Sequence, residues 1–245
     1  MKRAIALAVL GFVLTVATPG YAQPKWGVIG GWNSASLSGL KELIAADEEE
    51  GELVPDPGRR NGFMGGIFVN VPLANALSVQ PAVVYTQNGA TLHAPPEDGF
   101  GLDLEQKIDY VTIPIPFRYD VGSRMSMRPF VQAGPYLAFK TSAKTNYDFH
   151  IDPSLIDTPA EREAAEEFLQ EAFGVGIDGG DADLEDVKSF DFGIVVGGGV
   201  QLTNRLGVGV DFSFGLTNIN EDEDEDVELN NRAIALYLTY GFGGR

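Results

Sequence analysis

Leu206-Gly-Val-Gly-Val-Asp-Phe-Ser-Phe-Gly-Leu216 decides the fold. Leu206, Val208, Val210, Phe212, Phe214 and Leu216 recur at every second position, with Gly207, Gly209, Asp211, Ser213 and Gly215 between them. A period of two places alternate side chains on opposite faces of a β-strand, whereas a helix would space its apolar residues by three and four. The neighbouring segments repeat the pattern. Phe190, Phe192, Ile194, Val196 and Val200 oppose Asp191, Gly193, Gly197, Gly199 and Gln201. Ile234, Leu236, Leu238, Tyr240 and Phe242 oppose Ala233, Ala235, Tyr237, Thr239 and Gly241.

Upstream, Val111, Ile113, Ile115, Phe117 and Tyr119 face away from Tyr110, Thr112, Arg118 and Asp120. Leu77, Val79, Val83 and Tyr85 oppose Ser78, Gln80, Ala82 and Thr86. Gly65, Ile67, Val69 and Val71 oppose Met64, Gly66 and Asn70, with Phe68 on the polar side. Segments 25–36 and 128–143 complete eight strands. The links 72–76, 122–127 and 203–205 are short, and 37–61, 92–106, 145–187 and 221–230 are long. Short turns at one end and long loops at the other describe an all-β, eight-stranded antiparallel up-and-down transmembrane β-barrel, with short periplasmic turns and long acidic extracellular loops.

Two features set the facing. The non-apolar face is rich in Gly, Ala and Ser, which suits a narrow interior. The apolar face carries Trp26, Tyr85, Tyr119, Tyr240 and Phe242 near strand ends, as interfacial girdles do. The apolar side should therefore meet lipid. A soluble ligand barrel and an exported β-sandwich are the competing architectures, and neither requires the alternation of short and long links.

Composition narrows the function. There is no cysteine, so a disulfide framework, a thiolate metal site, a cysteine nucleophile and a lipoprotein anchor are excluded. Lys plus Arg is 17 against 35 Asp plus Glu, a formal charge of −18 that repels phosphate backbones and argues against nucleic acid. His93 and His150 are the only histidines and fall in separate links, which leaves no histidine triad for a metal. No nucleophile, base and orienting group can be named together, so the reading is non-enzymatic.

The acids are sorted. The four long links hold 31 of the 35, leaving Asp109, Asp120, Asp191 and Asp211 to the strands. In the third link, Thr158-Pro-Ala-Glu161 has the cap, the first-turn proline and the Glu of a helix start, so a helical insertion is expected over 158–173. Phe168, Leu169 and Phe173 would pack it on the rim. Asp178, Asp181, Asp183, Glu185 and Asp186 form a candidate calcium loop, because hard cations take several carboxylate oxygens from a short flexible stretch. The spacing is not that of an EF-hand, and a solvated acidic loop is the alternative. Otherwise no cofactor is implied. In the interior, Arg118, Asp120, Asp191, Asp211, Gln80 and Gln132 are expected to pair. A bridge from Arg118 to Asp211 or Asp191 would plug the lumen, since a lone buried charge is costly.

Residues 1–22 read as a secretory signal: Lys2 and Arg3, an apolar run from Ala4 to Val16, then Gly20 and Ala22 before the cleavage point. The run is shorter than the ~18 apolar residues a spanning helix needs. Residues 23–245 would then be the barrel, with 15 bases against 35 acids and a charge of −20.

A set of short motifs, in order along nearly the whole of that chain, carries a family resemblance. They are Lys25-Trp-Gly-Val-Ile-Gly-Gly-Trp-Asn-Ser34, Leu77-Ser-Val-Gln-Pro81, Val84-Tyr-Thr-Gln-Asn-Gly89, Tyr110-Val-Thr-Ile-Pro-Ile-Pro-Phe-Arg-Tyr119, Val131-Gln-Ala-Gly-Pro-Tyr136, Phe190-Asp-Phe-Gly193 and Gly215-Leu-Thr-Asn-Ile-Asn220. The chain resembles the PorT-like outer-membrane β-barrels common in Bacteroidota. The resemblance implies outer-membrane lipid and the barrel-insertion machinery as partners, although the terminal Phe242-Gly-Gly-Arg245 departs from that machinery's usual aromatic ending. It implies no activity. A structural, adhesive or ligand-binding barrel is the first expectation. A secretion-assisting or small-solute transport barrel is the second, and an outer-membrane lipid-modifying enzyme the third. Mass spectrometry of the exported protein should find Gln23 as the first residue; retention of Lys2 and Arg3 would contradict the cleaved signal.

Overall fold

Eight staves close on themselves. The computed structural model describes residues 24–42, 57–97, 99–122, 127–152, 154, 156–184, 187–220 and 227–242. The expected signal and its cleavage point lie outside them. The strands are β1 (Lys25–Ser38), β2 (Gly58–Pro72), β3 (Leu77–Val79), β4 (Ala82–Glu97), β5 (Phe100–Pro114), β6 (Phe117–Asp120), β7 (Arg128–Ile151), β8 (Gly180–Asp183), β9 (Phe190–Gln201), β10 (Leu206–Gly215) and β11 (Asn230–Phe242), with one helix, α1 (Pro159–Phe173). All pairings are antiparallel. β1 pairs β2 on one side and β11 on the other, from Trp26 opposite Phe242 to Ser38 opposite Asn230, and this last seam shuts the ring.

Proline explains why eight staves contain more than eight strands. Pro81 and Pro116 have no N–H to give the ladder. β3 and β4 are therefore one stave interrupted at residues 80–81, and β5 and β6 another interrupted at 115–116. The gaps are bridged by Gln80 N–H to Pro116 O and Ile115 N–H to Pro135 O, both 2.9 Å. β8 lies off the ring, paired to the far end of β7.

The facing is apolar side out. Trp26, Val28, Trp32, Ile67, Val83, Val131, Phe192, Phe212 and Leu238 are exposed, while Arg118, Gln132, Asp191, Asn231 and Thr239 are buried. β10 has 10 residues. At about 3.3 Å per residue and a tilt of about 40° that is enough for an apolar band of about 25 Å. At the short-turn end Trp26, Phe242 and Tyr240 form a girdle, Trp26 tilted against Phe242 and Tyr240 edge-on to it, with ring centroids 4.6 and 5.2 Å apart. Phe139 with Phe190, at 5.5 Å, marks the opposite boundary.

Two expected loops are structured instead. Segment 92–106 belongs to a β4–β5 hairpin, with Leu92 opposite Leu104 and Ala94 opposite Leu102. Segment 145–187 contains the end of β7, then α1, then β8. Charge hides these elements from a sequence reading. Beyond the apolar band the outer face of a strand meets water, so His93, Asp103 and Glu105 take the positions that lipid-facing residues hold lower down. The helix itself starts at a Thr158 capping box: Glu161 N–H donates to Thr158 Oγ1, and Thr158 N–H donates to Glu161 Oε2 at 2.9 Å. The Thr158 N–H and hydroxyl, both donating to Glu161 Oε2, hold the Glu161 carboxyl below its usual range. Leu169 is buried and Phe173 packs on Tyr147 and Phe149, but Phe168 is exposed and makes no rim contact of that kind.

Val210→Lys should cut the yield of folded, heat-modifiable protein in lipid vesicles, since a base on the outer wall at mid-bilayer costs about 2–4 kcal/mol. Ser213→Asn, which points into a lumen void of about 70 Å³, should fold close to normally. Worse folding of the asparagine variant than of the lysine variant would invert the facing.

Candidate functional site

The lumen is filled in layers, and four of its aromatic rings each sit on a glycine. A Cβ at Gly27 would lie 2.6 Å from the Phe68 ring; at Gly199, 2.7 Å from Phe130; at Gly209, 2.5 Å from Tyr237; at Gly193, 2.5 Å from Tyr136. Contacts that close are not tolerated by real side chains, so these positions have room only for hydrogen. The small inner face foreseen from composition is thus a set of seats for four aromatic rings.

The polar residues complete the layers. Gln132 Nε2 donates to both oxygens of Asp211, at 2.8 and 2.9 Å, and Tyr237 Oη donates to Asp211 at 3.2 Å. Nearer the long-loop end, Tyr136 Oη and Asn231 Nδ2 donate to Asp191 Oδ2, both at 3.0 Å, and Asn231 also donates to Tyr110 Oη. Leu37, Leu40, Ile108, Tyr110, Val187 and Ile219 pack around this layer, and Met64, Ala82 and Val84 pack around the one below.

Arg118 does not bridge to Asp211 or Asp191. Its Nε donates to Asp120 Oδ1 at 2.9 Å, Nη1 to Gln80 at 3.3 Å and Nη2 to Gln201 at 3.1 Å, while its Cζ sits 3.7 Å over the Phe130 ring. Register explains the difference. Arg118 stands beside Gln132 in the β6–β7 ladder, so Gln132 intervenes and takes Asp211 for itself. Asp191 lies farther along, opposite Ala138 on β7. The six expected lumen residues therefore divide into three groups: Arg118, Asp120 and Gln80; Gln132 and Asp211; Asp191 alone with Tyr136 and Asn231.

Sequence reasoning missed a second buried arginine. Arg60 lies where β2, β4 and β5 meet near the long-loop end, with Nη1 3.0 Å from Asp109 Oδ1 and Nε 3.1 Å from Glu105 Oε1. Tyr85 Oη donates to the other Asp109 oxygen. The only signal was an acid, Asp109, retained inside a strand. The two histidines were also misjudged as separate. The β4–β5–β7 ladder brings both to Asp103, His93 Nδ1 in direct contact and His150 Nε2 at 4.0 Å.

The calcium candidates do not converge. Asp181 accepts from Lys107 at 3.2 Å and from Asn146 at 3.0 Å, which hold its carboxyl below the usual range. Asp178 is fully exposed, 3.9 Å from Arg162. Asp183 is carried on extended backbone, which spreads its neighbours apart instead of folding them round an ion. Glu185 and Asp186 lie outside the described residues. Among the described residues no three Asp, Glu or His side chains form a metal-sized group.

A closed ring with an apolar exterior, aromatic girdles and a polar, packed lumen is a membrane-spanning β-barrel. The chain belongs to the family described as outer membrane protein beta-barrel domain, which matches residues 21–221, and it is a protein of the bacterial outer membrane. Among solved structures it is similar to Neisserial surface protein A (13% identity, TM-score 0.41, 90% of this chain and 100% of that one). It is also similar to Ail, the attachment invasion locus protein of Yersinia pestis (9%, 0.38, 90% and 100%), and to the outer membrane enzyme PagL (12%, 0.38, 89% and 99%). No curated protein matches the sequence.

Arg60→Met should destabilise the protein by about 3–5 kcal/mol, because it leaves the partly buried Asp109 without its cation. Adding Asp109→Asn should recover part of the loss in urea titrations of the vesicle-inserted barrel. No recovery would mean that the pair is uncoupled.

Proposed function

We propose that this barrel is a non-conducting, non-enzymatic scaffold that presents its acidic long-loop end as a binding surface at the cell exterior, with the short turns in the periplasm. The filled lumen carries this reading. Four aromatic rings on glycine seats and two hydrogen-bonded carboxylate layers occupy the interior, which supports a closed lumen. What the fold builds above the apolar band is a stiff crown: the β4–β5 hairpin, the end of β7, β8 and α1, joined by Tyr147, Phe149 and Phe173. Its charge suits a cationic partner, and steering by such a field weakens with salt. The PorT-like resemblance keeps secretion assistance as the second reading, because a partner in export could also dock on the crown.

Planar-bilayer recordings of the full chain should show no steady conductance. Cells bearing a variant with 153–184 replaced by a short Gly-Ser link should lose binding to basic protein surfaces while keeping a normal heat-modifiable barrel. A steady open conductance would overturn the scaffold reading in favour of solute transport. Normal surface binding with impaired export would favour the secretion reading.

A further inference from the structure

At the short-turn end the barrel opens into a blind cavity of about 400 Å³ whose lining includes Lys25, Arg118, Arg128 and Arg205, with Asp120 as the one acid. We propose that this cavity is a binding site for a small polyanion bearing phosphate or carboxylate groups.

The charge of the wall is the first argument. In a chain with 17 bases and 35 acids, a lining of four bases and one acid inverts the overall balance. The inversion is confined to the end of the barrel opposite the acidic crown. Arg118 spends part of its charge on Asp120. Among the described residues no carboxylate is in ion-pair contact with Lys25, Arg128 or Arg205. Three uncompensated cations around a concave, partly apolar wall focus a positive field into the cavity.

Preorganisation is the second argument. Arg118 is 5% exposed and is held by Asp120, Gln80, Gln201 and the face of Phe130. A guanidinium fixed in this way loses little freedom when it binds a planar oxyanion, and its fork suits two oxygens at once. Asn70, on the same wall, already donates to Ser78 and Gln80, so the floor is a built polar network. Arg205 is exposed at the mouth and Arg128 half-buried beside Gln201, which places solvent-facing cations at the entrance and the buried one at the back.

Size sets the ligand class. About 400 Å³ lies in the range of small-molecule pockets, and Phe68, seated on Gly27 of the adjacent strand, forms part of the lining. A small molecule with two or more negative charges matches this volume and this wall. The site is independent of the crown, from which the filled lumen separates it.

The test is isothermal titration calorimetry on the full chain, refolded in a non-ionic detergent, with inorganic pyrophosphate, citrate and glucose as probes. At least one of the two anions should bind with a Kd of about 1 mM or tighter, glucose should not bind, and raising the salt should weaken the anion. The ranking of pyrophosphate and citrate identifies the preferred oxyanion. Arg128→Gln with Arg205→Gln should weaken binding about tenfold, or 1.4 kcal/mol, with an unchanged heat-modifiable gel shift. Lys25→Gln, at the edge of a strand, serves the same purpose if that double variant does not fold. Failure of both anions to bind, or binding undiminished in a folded variant, overturns the proposal.

Discussion

The narrowness of an eight-stave ring is the constraint on which everything else rests. Such a ring encloses a space about as wide as its own side chains, so the interior must be packed solid or collapse. Here the packing unit is an aromatic ring laid on a glycine of a neighbouring stave: Phe68 on Gly27, Phe130 on Gly199, Tyr136 on Gly193 and Tyr237 on Gly209. The unit shapes the composition of the inner face, because each of these four rings demands a hydrogen-only position beside it. It also decides where polarity is allowed. Buried polar groups are costly without partners, and the tyrosine hydroxyls supply some of them, Tyr237 to Asp211 and Tyr136 to Asp191, although Asp191 Oδ1, Gln132 Oε1 and Asn231 Oδ1 have none among the described residues. The outer face is released from packing and needs only to be apolar.

Solid packing also makes the barrel two-ended. With aromatic rings packed between the two ends, each end carries its own set of charged side chains. The long-loop end continues upward on β4, β5 and β7 and accumulates carboxylates around a few satisfied cations, such as Lys107 between Glu105 and Asp181. The short-turn end has almost no backbone to spare, yet gathers four bases around one cavity. Solubility does not explain this division, since either sign of charge would serve. The binding proposed at each mouth fits it.

The eight staves and their facing were legible because a period of two survives wherever one side meets lipid. Val210, Phe212 and Phe214 could hardly be read otherwise. Legibility failed where the outside solvent changes. Above the apolar band, His93, Asp103 and Glu105 sit on the same strands in a polar pattern, which reads as loop. Closure was inferred from the count of strands, but the particular seam between β1 and β11 is not a local property of either segment. Partner choice was the least legible feature. Arg118, Asp191 and Asp211 all belong to inner faces, yet stagger and the intervening Gln132 decide that the arginine joins Asp120. The seats of the aromatic rings were visible only as a surplus of glycine, because which ring meets which glycine depends on register. Thr158-Pro159 and Glu161, by contrast, announce α1 through backbone chemistry that acts within four residues.

Arg118 joins the filled lumen to the cavity at the short-turn end. A barrel floor needs no charge: Phe68 and Phe130 already span the interior, and a hydrophobic residue at 118 would pack on Phe130 without desolvating a cation. Buried ion pairs contribute little net stability against such a replacement, because desolvation offsets much of their attraction. The arrangement around Arg118 is costly in another way, since Asp120, Gln80 and Gln201 must all be ordered to satisfy one guanidinium. Stability alone therefore does not account for it. A fixed cation at the back of a cavity with three more at its sides does account for it, because each group that holds the guanidinium still also prepares it to receive an oxyanion. In this molecule the last layer of the lumen packing and the first contact of the proposed site are the same side chain.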